Sequence, residues 1–482
     1  MTAVRNDYSA TPLPMPDRAC IPAEYRQDVQ DLFDTWHSLR TRNGRIDRYM
    51  NMRLHTKNLG ISVPPELRRL NAACGWGKKC VDVMVEHSKL DGLTAGDAEA
   101  RALLGAISRR NHLRSLYRKA TTSALEQCFA LYLVTRDDET GHARVSAYPA
   151  RVCGVKWDDA KGELAAAMFV VATKTDRSGT VKPTWVDVVT DDNVIRIRKG
   201  DRGWAADYEP HGLGHLPAFI APFEATLERP FGTSRITREV MGYIDSAVRA
   251  NVNEEIASAF AASTQKYLMG TDGDPFEHVT RWDTYIGSIV NVDMTADGTV
   301  PQFGQLPQPS MQPLSDHWRL LCGRMSAATG IHVSQFGQVH DNPASSDAIY
   351  AENEPLILKV KDWNEDAGEC LSDVAVACLA TEWGKTFDEV MDMGLDVGAS
   401  FANPAMPTLA QQTDASVKMA SVLDGFAETD TFLALNGFGE EERKRIRREL
   451  DDVRRAANRD AMIASVFGGT ADEGAGGDET SA

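Results

Sequence analysis

The stretch GIHVSQFGQVHDNPASSDAIYAENEP, residues 330–355, joins two helical patterns through a long polar segment. Gly330 is suited to end the first helix, and Ser345 or Ser346 can cap the second. Between residues 331 and 345 the chain carries Gln, Asn and Gly, no Lys or Arg, and Asp341 as its one charged residue. A loop of this length inside a compact domain is usually functional or disordered. The loop is therefore the first candidate functional element, and the helices beside it define the fold.

Helical periodicity extends outward from this loop in both directions. The pattern predicts a helix over 313–330 before the loop and a much longer helix over 346–385 after it. Pro355 and Gly368 lie inside the longer pattern, and each is expected to bend the helix.

A third long helix is predicted over 233–262, where Thr233 or Ser234 can act as the N-cap. Its apolar residues follow one stripe, and the opposite face carries Arg235, Arg238 and Arg249 among other charged residues. An insert at 263–312 shows short strand patterns in QKYLMGTDGDP and GSIVNVDM and then an irregular Pro- and Gln-rich run. If this insert protrudes as a knob, the helices on its two sides run antiparallel, and the polar loop lies at their other end.

Residues 1–232 contain helical patterns first and strand patterns afterwards. Helices are predicted over 22–53 and 95–119, whereas the valines between residues 81 and 85 fit a helix or a strand. From 124 to 225, β-branched and aromatic runs alternate with Gly, Asp and Asn turns, which predicts a meandering antiparallel sheet.

The C-terminal region, residues 386–467, predicts one strand followed by helices. One of these helices contains ERKRIRREL, residues 442–450, whose basic residues fit either a salt-bridged helix face or a DNA contact. Residues 468–482 are acidic and poor in hydrophobic side chains, so we expect them to be disordered.

Composition and charge limit the function classes. The formal net charge is −17, with 43% hydrophobic and 25% charged residues, which is typical of a globular protein and excludes a conventional DNA-binding module. No apolar run reaches the ~18 residues of a membrane span, and the first residues lack a signal-peptide core. The eight cysteines form no CxxC pair, so we expect buried free thiols.

The sequence offers no constellation that would support catalysis. Gly384-Lys385-Thr386 could suggest a phosphate loop, but the first glycine of that motif is replaced by Leu379. No metal-ligand spacing and no nucleophile motif is evident. We therefore expect no enzyme activity, no cofactor and no metal.

The order of these parts resembles the portal proteins of tailed double-stranded DNA bacteriophages, in the branch typical of actinobacteriophages. The resemblance covers roughly residues 45 to 425. It is carried by the opening loop together with four further pieces: YMNMRLHTKNLGISVPPELRRL, WGKKCVDVMVEHSKLDGL, PFGTSRITREVMGYIDSAVRANVNEE and ANPAMPTLAQQTDASVKM.

The resemblance implies an α+β portal fold and a ring of twelve subunits around a DNA channel at one capsid vertex. The implied parts are a mixed helical and β wing region (1–232), two stem helices (233–262 and 313–330) with a clip between them (263–312), a tunnel loop (331–345), a long bent wing helix (346–385), and a strand with crown-like helices (386–467). The implied partners are other copies of the chain, the major capsid or scaffolding protein, the terminase large subunit, a head–tail adaptor, and double-stranded DNA that passes through without sequence-specific binding. No membrane is implied, and the expected location is the virion, with assembly in the host cytoplasm.

The resemblance also assigns candidate site residues. The channel residues of the tunnel loop would be Gln335, Phe336, Gln338, Val339, His340, Asp341 and Asn342. Channel-facing stem residues would be Arg235, Arg238 and Arg249, and partner-docking clip residues would be Trp282, Asp283, Tyr285, Gln302, Gln305 and Gln308. The loop composition agrees with this role, because glutamine exchanges hydrogen bonds with water at little net cost and an absence of Lys and Arg avoids strong phosphate contacts.

Several alternatives stay open at this point. The loop could be a surface connector without a contact, and the stem arginines could be solvated or ion-paired rather than face DNA. The whole chain could be another head–tail component, such as an adaptor or minor head protein. A packaging nucleotidase is a further alternative, against which the missing phosphate loop counts.

Overall fold

The computed structural model describes residues 21–52, 73–175, 177, 181–262, 266–269, 298, 300, 302–305, 310–338, 346–405, 409–438 and 440–467. The chain divides into two compact units, residues 1–405 and 406–482. The first unit mixes helices with antiparallel strands, and the second is helical in its described part, so the predicted α+β class is confirmed.

In the residues that the structure describes, the N-terminal part of the first unit holds four α-helices and one strand. They are α1 (Arg26–Met50), α2 (Trp76–His87), β1 (Leu90–Thr94), α3 (Ala98–Arg110) and α4 (Leu113–Gln127). The single helix predicted over 95–119 was wrong, because His112 adopts a left-handed conformation (φ 50°) that separates α3 from α4. The valines of α2 are helical and buried, which settles the alternative between helix and strand.

Two antiparallel sheets follow. The strands are β2 (Phe129–Arg136), β3 (Ala143–Pro149), β4 (Cys153–Asp158), β5 (Glu163–Thr175), β6 (Val181–Val189), β7 (Asn193–Gly200), β8 (Gly203–Pro210) and β9 (Ala218–Pro222). Strands β4 to β8 form the predicted meander in sequence order, whereas β9 returns to pair with β2 in a separate sheet of order β3-β2-β9.

Helix α1 lies directly on strand β4. A Cβ atom added to Gly154 would collide with the Leu32 carbonyl oxygen, so only glycine allows the two backbones to approach this closely. The face of α1 that carries Val29, Leu32, Phe33 and Trp36 is buried against strands of the meander. This contact fixes the first helix on the sheet.

The remaining elements of the first unit precede and follow the opening loop in the sequence. They are α5 (Arg238–Ala262), β10 (Lys266–Met269), β11 (Gln302–Gln305), α6 (Gln312–Thr329), α7 (Ser346–Trp383), α8 (Phe387–Met391) and β12 (Gly398–Phe401). Helix α5 begins five residues later than predicted, because Thr237 is the side chain that caps it, accepting from the Val240 N–H at 3.3 Å. The run predicted as irregular contains β11, which pairs antiparallel with β10. The predicted strand GSIVNVDM lies outside the described residues.

Helix α7 is continuous through Pro355 and Gly368 and is the centre of the largest core cluster. Its Trp363 Nε1 donates to the Tyr117 hydroxyl at 3.1 Å, and the Ser88 hydroxyl lies 2.6 Å from both Tyr117 Oη and Asn364 Oδ1. Burial is the main reason that the pKa of Tyr117 is raised. The predicted strand of the C-terminal region is β12, which pairs with β1 and so ties both ends of the unit together.

The second unit contains α9 (Leu409–Val422), α10 (Asp430–Leu435) and α11 (Glu440–Phe467). Arg447 of α11 forms an ion pair with Asp430 at 2.8 Å, and Arg445 one with Glu449 at 3.7 Å, which favours the salt-bridged interpretation of ERKRIRREL. The predicted disordered tail, residues 468–482, lies outside the described residues.

Seven of the cysteines lie in described segments, and all seven are buried and free, as predicted. Burial raises the pKa of the Cys74 thiol to about 11 and that of Cys80 to about 12. Among the described helices, none is long and apolar enough to cross a membrane.

Candidate functional site

The helices that flank the insert form the frame of the site. Helices α5 and α6 contact each other, and the paired strands β10 and β11 connect their ends. The two helices are therefore the sides of one hairpin. Their contact surface is apolar, with Ile244, Val248, Leu321 and Met325 all buried.

Arg235 joins three parts of the chain at the base of this hairpin. Its Nε donates to the Cys80 carbonyl at 2.7 Å, its Nη2 donates to the Thr329 carbonyl at 3.0 Å, and its backbone N–H donates to the Leu125 carbonyl at 2.9 Å. Thr329 is the last residue of α6, so the guanidinium satisfies a terminal carbonyl at the negative end of the helix dipole. Burial lowers the pKa of the Arg235 guanidinium.

The placement of Arg235 on the polar face of a stem helix was wrong. The residue precedes α5, and only 5% of it is exposed. Periodicity could not reveal this, because the carbonyls that bind the guanidinium belong to α2 and α6, which are remote in sequence. Arg238 and Arg249 do lie exposed on α5, and Arg249 Nη2 donates to the Ser246 hydroxyl at 3.0 Å.

The first half of the opening loop is anchored to the core. Gly330 ends α6 with a φ of 70°, as predicted, and Ile331 after it is fully buried. A short turn, Val333–Phe336, then inserts the Phe336 ring beside Trp76, with 5.5 Å between the ring centroids. Phe336 was expected to face a channel, but it is 5% exposed, because an aromatic pocket formed by Trp76 and Trp318 receives it.

Polar contacts connect the same half of the loop to α7. His332 Nε2 lies 3.1 Å from Glu352 Oε2, and His332 Nδ1 lies 2.7 Å from the Ser334 hydroxyl. Gln335 is exposed. The Nε2 atom of Gln338 is buried and has no hydrogen-bond partner among the described residues. The described half of the loop therefore presents the Gln335 amide to solvent from a fixed base.

The other candidate residues stay predictions. Val339, His340, Asp341 and Asn342 of the loop lie outside the described residues, as do Trp282, Asp283, Tyr285 and Gln308 of the insert. Gln302 and Gln305 are the two ends of β11, and the Gln302 side chain is exposed. The structure adds Trp76 and Glu352 as loop anchors, which sequence reasoning missed because nothing local marks them as neighbours of the loop.

Gly384-Lys385-Thr386 has a structural role in the described fold. The Thr386 hydroxyl accepts from the Glu389 N–H at 3.3 Å, and Glu389 Oε2 accepts from the Thr386 N–H at 2.9 Å. This reciprocal capping box begins α8. Among the described residues, no group of His, Cys, Asp and Glu is arranged to hold a metal ion.

Comparison with known proteins gives consistent matches along the chain. The family model described as "Phage portal protein, SPP1 Gp6-like" matches residues 32–457. The portal protein of Mycobacterium phage D29 is 24% identical over 466 residues, covering 91% of this chain and 90% of that protein. The portal protein of Mycobacterium phage L5 is 24% identical over 451 residues, with the same coverage of 91% and 90%.

Solved structures of particle necks and virions are also similar. A chain in "Neck of empty GTA particle computed with C6 symmetry" has a TM-score of 0.47 and 12% identity, covering 76% of this chain and 90% of that chain. A chain in "Virion of native gene transfer agent (GTA) particle" has a TM-score of 0.46 and 12% identity, covering 82% and 93%. Because the family model spans both helices of the hairpin, the loop, α7 and most of the second unit, the chain belongs to the SPP1 Gp6-like family of phage portal proteins.

Proposed function

We propose that this protein is the portal of a tailed phage, a ring at one capsid vertex through which the double-stranded DNA genome is packaged and ejected. The observation that carries the proposal is the family match across residues 32–457, which includes the anchored polar loop after α6. In the ring, α5 and α6 form the stem, the insert 263–312 forms the clip, residues 331–345 form the tunnel loop, and α7 crosses the wing.

The geometry of the loop supports a contact with moving DNA. Phe336 holds the base of the loop in an aromatic pocket, while Gln335 is exposed to solvent. Neutral amides can exchange hydrogen bonds with water and phosphates at little net cost, whereas each Lys or Arg contact would release counterions and retain the DNA. The net charge of −17 acts in the same direction, because a ring of acidic copies repels a polyanion.

The partners follow from the same proposal. The ring contains about twelve copies, in which a head-to-tail contact between copies closes on itself. The clip binds the terminase large subunit during packaging and a head–tail adaptor afterwards, and the wing contacts the major capsid or scaffolding protein. The ring assembles in the host cytoplasm and remains in the virion. The portal itself hydrolyses nothing, so the packaging energy comes from the terminase.

Electron microscopy of the purified full-length chain tests the ring directly. The expected result is rings with a central hole and a countable number of subunits. Monomers or compact dimers at all protein concentrations would overturn the proposal.

A charge substitution tests the role of the loop. Gln335→Arg should leave ring assembly unchanged and slow DNA packaging by an assembled particle, because a guanidinium in the channel binds phosphate. The matched control is Gln27→Arg, since Gln27 is exposed on α1, far from the loop in sequence. Intact rings that package DNA at the same speed with either substitution would show that Gln335 does not meet the DNA.

A further inference from the structure

A cavity of about 550 Å³ lies between α1 and the segment that leads into α5. Its lining includes four arginines from three places in the sequence: Arg42 and Arg45 of α1, Arg229, and Arg238 in the first turn of α5. The other lining residues are apolar or carry a hydroxyl: Ile46, Thr233, Ser234, Ile236, Thr237 and Met241. None of these described lining residues is acidic, although the chain as a whole has 69 acidic and 52 basic residues.

None of the four arginines forms an ion pair with a carboxylate in the part of the chain that the structure describes, whereas Lys156 pairs with Asp28 and Asp31 of α1. Arg42 interacts with the buried Cys128 thiol, which carries no charge in its protonated form. Four like charges around one cavity repel one another, and only solvent or an anion reduces that repulsion. This concentration of unpaired positive charge in an acidic protein indicates a site for an anion.

Hydrogen bonds fix the neutral residues on the same wall of the cavity. The Thr233 backbone N–H donates to the Phe223 carbonyl at 2.7 Å, which fixes this residue beside the cavity. Ser234 is fixed in a similar way, because its hydroxyl donates to the Glu126 carbonyl at 2.6 Å. Thr237 and Arg238 place the N-terminal end of the 25-residue helix α5 at the cavity, where the helix dipole is positive.

Four guanidinium groups suit an anion that carries more than one charged group, and phosphate is a ligand that their geometry matches. A guanidinium presents parallel N–H donors that match two oxygens of a phosphate, and four of them can contact more than one phosphate group. The volume lies within the range of small-molecule sites and exceeds the space that a single phosphate requires. We infer that this cavity binds an anion with at least two linked phosphate groups, supplied either by a nucleic-acid backbone or by a free di- or triphosphate. The inference does not depend on the ring or on the loop.

Calorimetric titration of the full-length chain with inorganic pyrophosphate at low salt tests the site. The expected result is saturable binding of one pyrophosphate per chain, weakened at least about tenfold in the double variant Arg42→Gln/Arg238→Gln, because two charge-assisted contacts are lost. The matched control is Arg319→Gln, since Arg319 is an exposed arginine of α6 that lies 3.5 Å from Asp316. Unfolding midpoints of all variants in urea check that each chain is folded.

A second arm identifies the source of the phosphates. If a short DNA duplex competes with pyrophosphate, the site binds a nucleic-acid backbone. The competition should be lost in the double variant and kept in the control. Pyrophosphate binding without competition by DNA identifies a free di- or triphosphate. The inference is overturned if pyrophosphate does not bind, or if the folded double variant binds it as well as the wild type. It is also overturned if the double variant keeps pyrophosphate binding but no longer assembles into rings. The arginines would then bind carboxylates of a neighbouring copy.

Discussion

Helices α7 and α11 are the longest helices of their respective units, with 38 and 28 residues, and they differ in what stabilises them. In α7, Val360, Leu371 and Val374 are fully buried within the first unit. In α11, Leu450 is 46% exposed and Val453 is 66% exposed. The comparison shows that α7 is stabilised by packing within its own unit, whereas α11 retains an apolar side that the described chain does not cover.

The polar contacts of the two helices differ in the same way. Asn364 of α7 belongs to a buried network with Ser88 and Tyr117, where every lost partner leaves an unsatisfied polar group. Arg447 and Arg454 of α11 form ion pairs with surface carboxylates, which contribute little because water and salt screen them. Substitutions should therefore have large effects around α7 and its neighbours and small effects on α11.

The largest loss of stability is expected where the contact between α1 and β4 leaves no space for a side chain. Gly154→Val should prevent folding or reduce the free energy of unfolding by more than about 4 kcal/mol, because the new side chain would collide with the Leu32 carbonyl. Gly92→Ala is the control, since a Cβ at Gly92 meets no atom within 4 Å. Urea unfolding followed by circular dichroism measures both. A soluble Gly154→Val chain of wild-type stability would contradict the close contact of α1 and β4.

The core of α7 should give the next largest effect. Trp363→Ala should reduce the free energy of unfolding by about 3–5 kcal/mol, because a cavity forms and the Tyr117 hydroxyl loses a donor. Leu450→Ala in α11 is the matched substitution and should cost less than about 1 kcal/mol in the unassembled chain. Equal losses of unfolding free energy for the two variants, measured by urea unfolding, would contradict the contrast between α7 and α11.

The next largest loss of stability is expected from the buried guanidinium at the base of the hairpin. Arg235→Met should reduce the free energy of unfolding by about 1–3 kcal/mol, because the Thr329 carbonyl loses its donor while the aliphatic packing is kept. Arg319→Met on the exposed face of α6 is the control. Wild-type unfolding of Arg235→Met would show that the guanidinium does not hold α2 and α6 together.

A carboxyl group at the end of α7 makes a pH-dependent contribution to the free energy of unfolding. Glu382 accepts from Arg110 Nη1 at 2.7 Å and from the Ala143 N–H at 3.0 Å, and its Oε2 lies 2.9 Å from His142 Nδ1. Burial raises the pKa of this carboxyl, but the hydrogen bonds from His142, Arg110 and Ala143 outweigh burial and leave the pKa below its ordinary value of 4.5.

The sign of this effect follows from proton binding. Since the unfolded chain binds the proton more tightly, the stabilisation is complete above pH 4.5 and is lost as the pH falls through the lower, folded-state pKa. Glu382→Gln should therefore cost about 1–2 kcal/mol at pH 7 and flatten the fall of stability in acid. Glu449→Gln on α11 is the control. Parallel pH profiles of wild type and Glu382→Gln in urea unfolding would contradict the prediction.

The smallest effect is expected on α11. Arg447→Ala removes the ion pair with Asp430 and should change the free energy of unfolding by less than about 0.5 kcal/mol, with little dependence on salt. Thermal unfolding at low and high salt measures the change. A loss of several kcal/mol would mean that α11 depends on this ion pair, and the contrast with α7 would then be wrong.

Much of the fold could be predicted because the decisive signals are local. The helices on both sides of the loop, the five-stranded meander and the strand β12 each follow from periodicity and turn residues within one segment. The elements that were predicted wrongly depend on features that periodicity does not show. His112 interrupts a helical pattern through its own backbone conformation. The strand β11 forms because β10 pairs with it, although the run of sequence around it is rich in Pro and Gln.

The candidate site was less predictable because its contacts join distant segments. Arg235 and Phe336 were expected to be accessible, but the first binds a carbonyl of α2 and the second packs on Trp76. Neither partner can be identified from spacing in a single sequence. The arginine-lined cavity was missed for the same reason, since its lining residues come from positions 42 to 241.

The buried thiols have a consequence for the durability of the particle. Each of the seven described cysteines is enclosed and protonated at neutral pH, so oxidants and alkylating reagents find neither access nor a thiolate to attack. The described fold therefore protects these thiols from oxidation without a disulfide and without an external reductant.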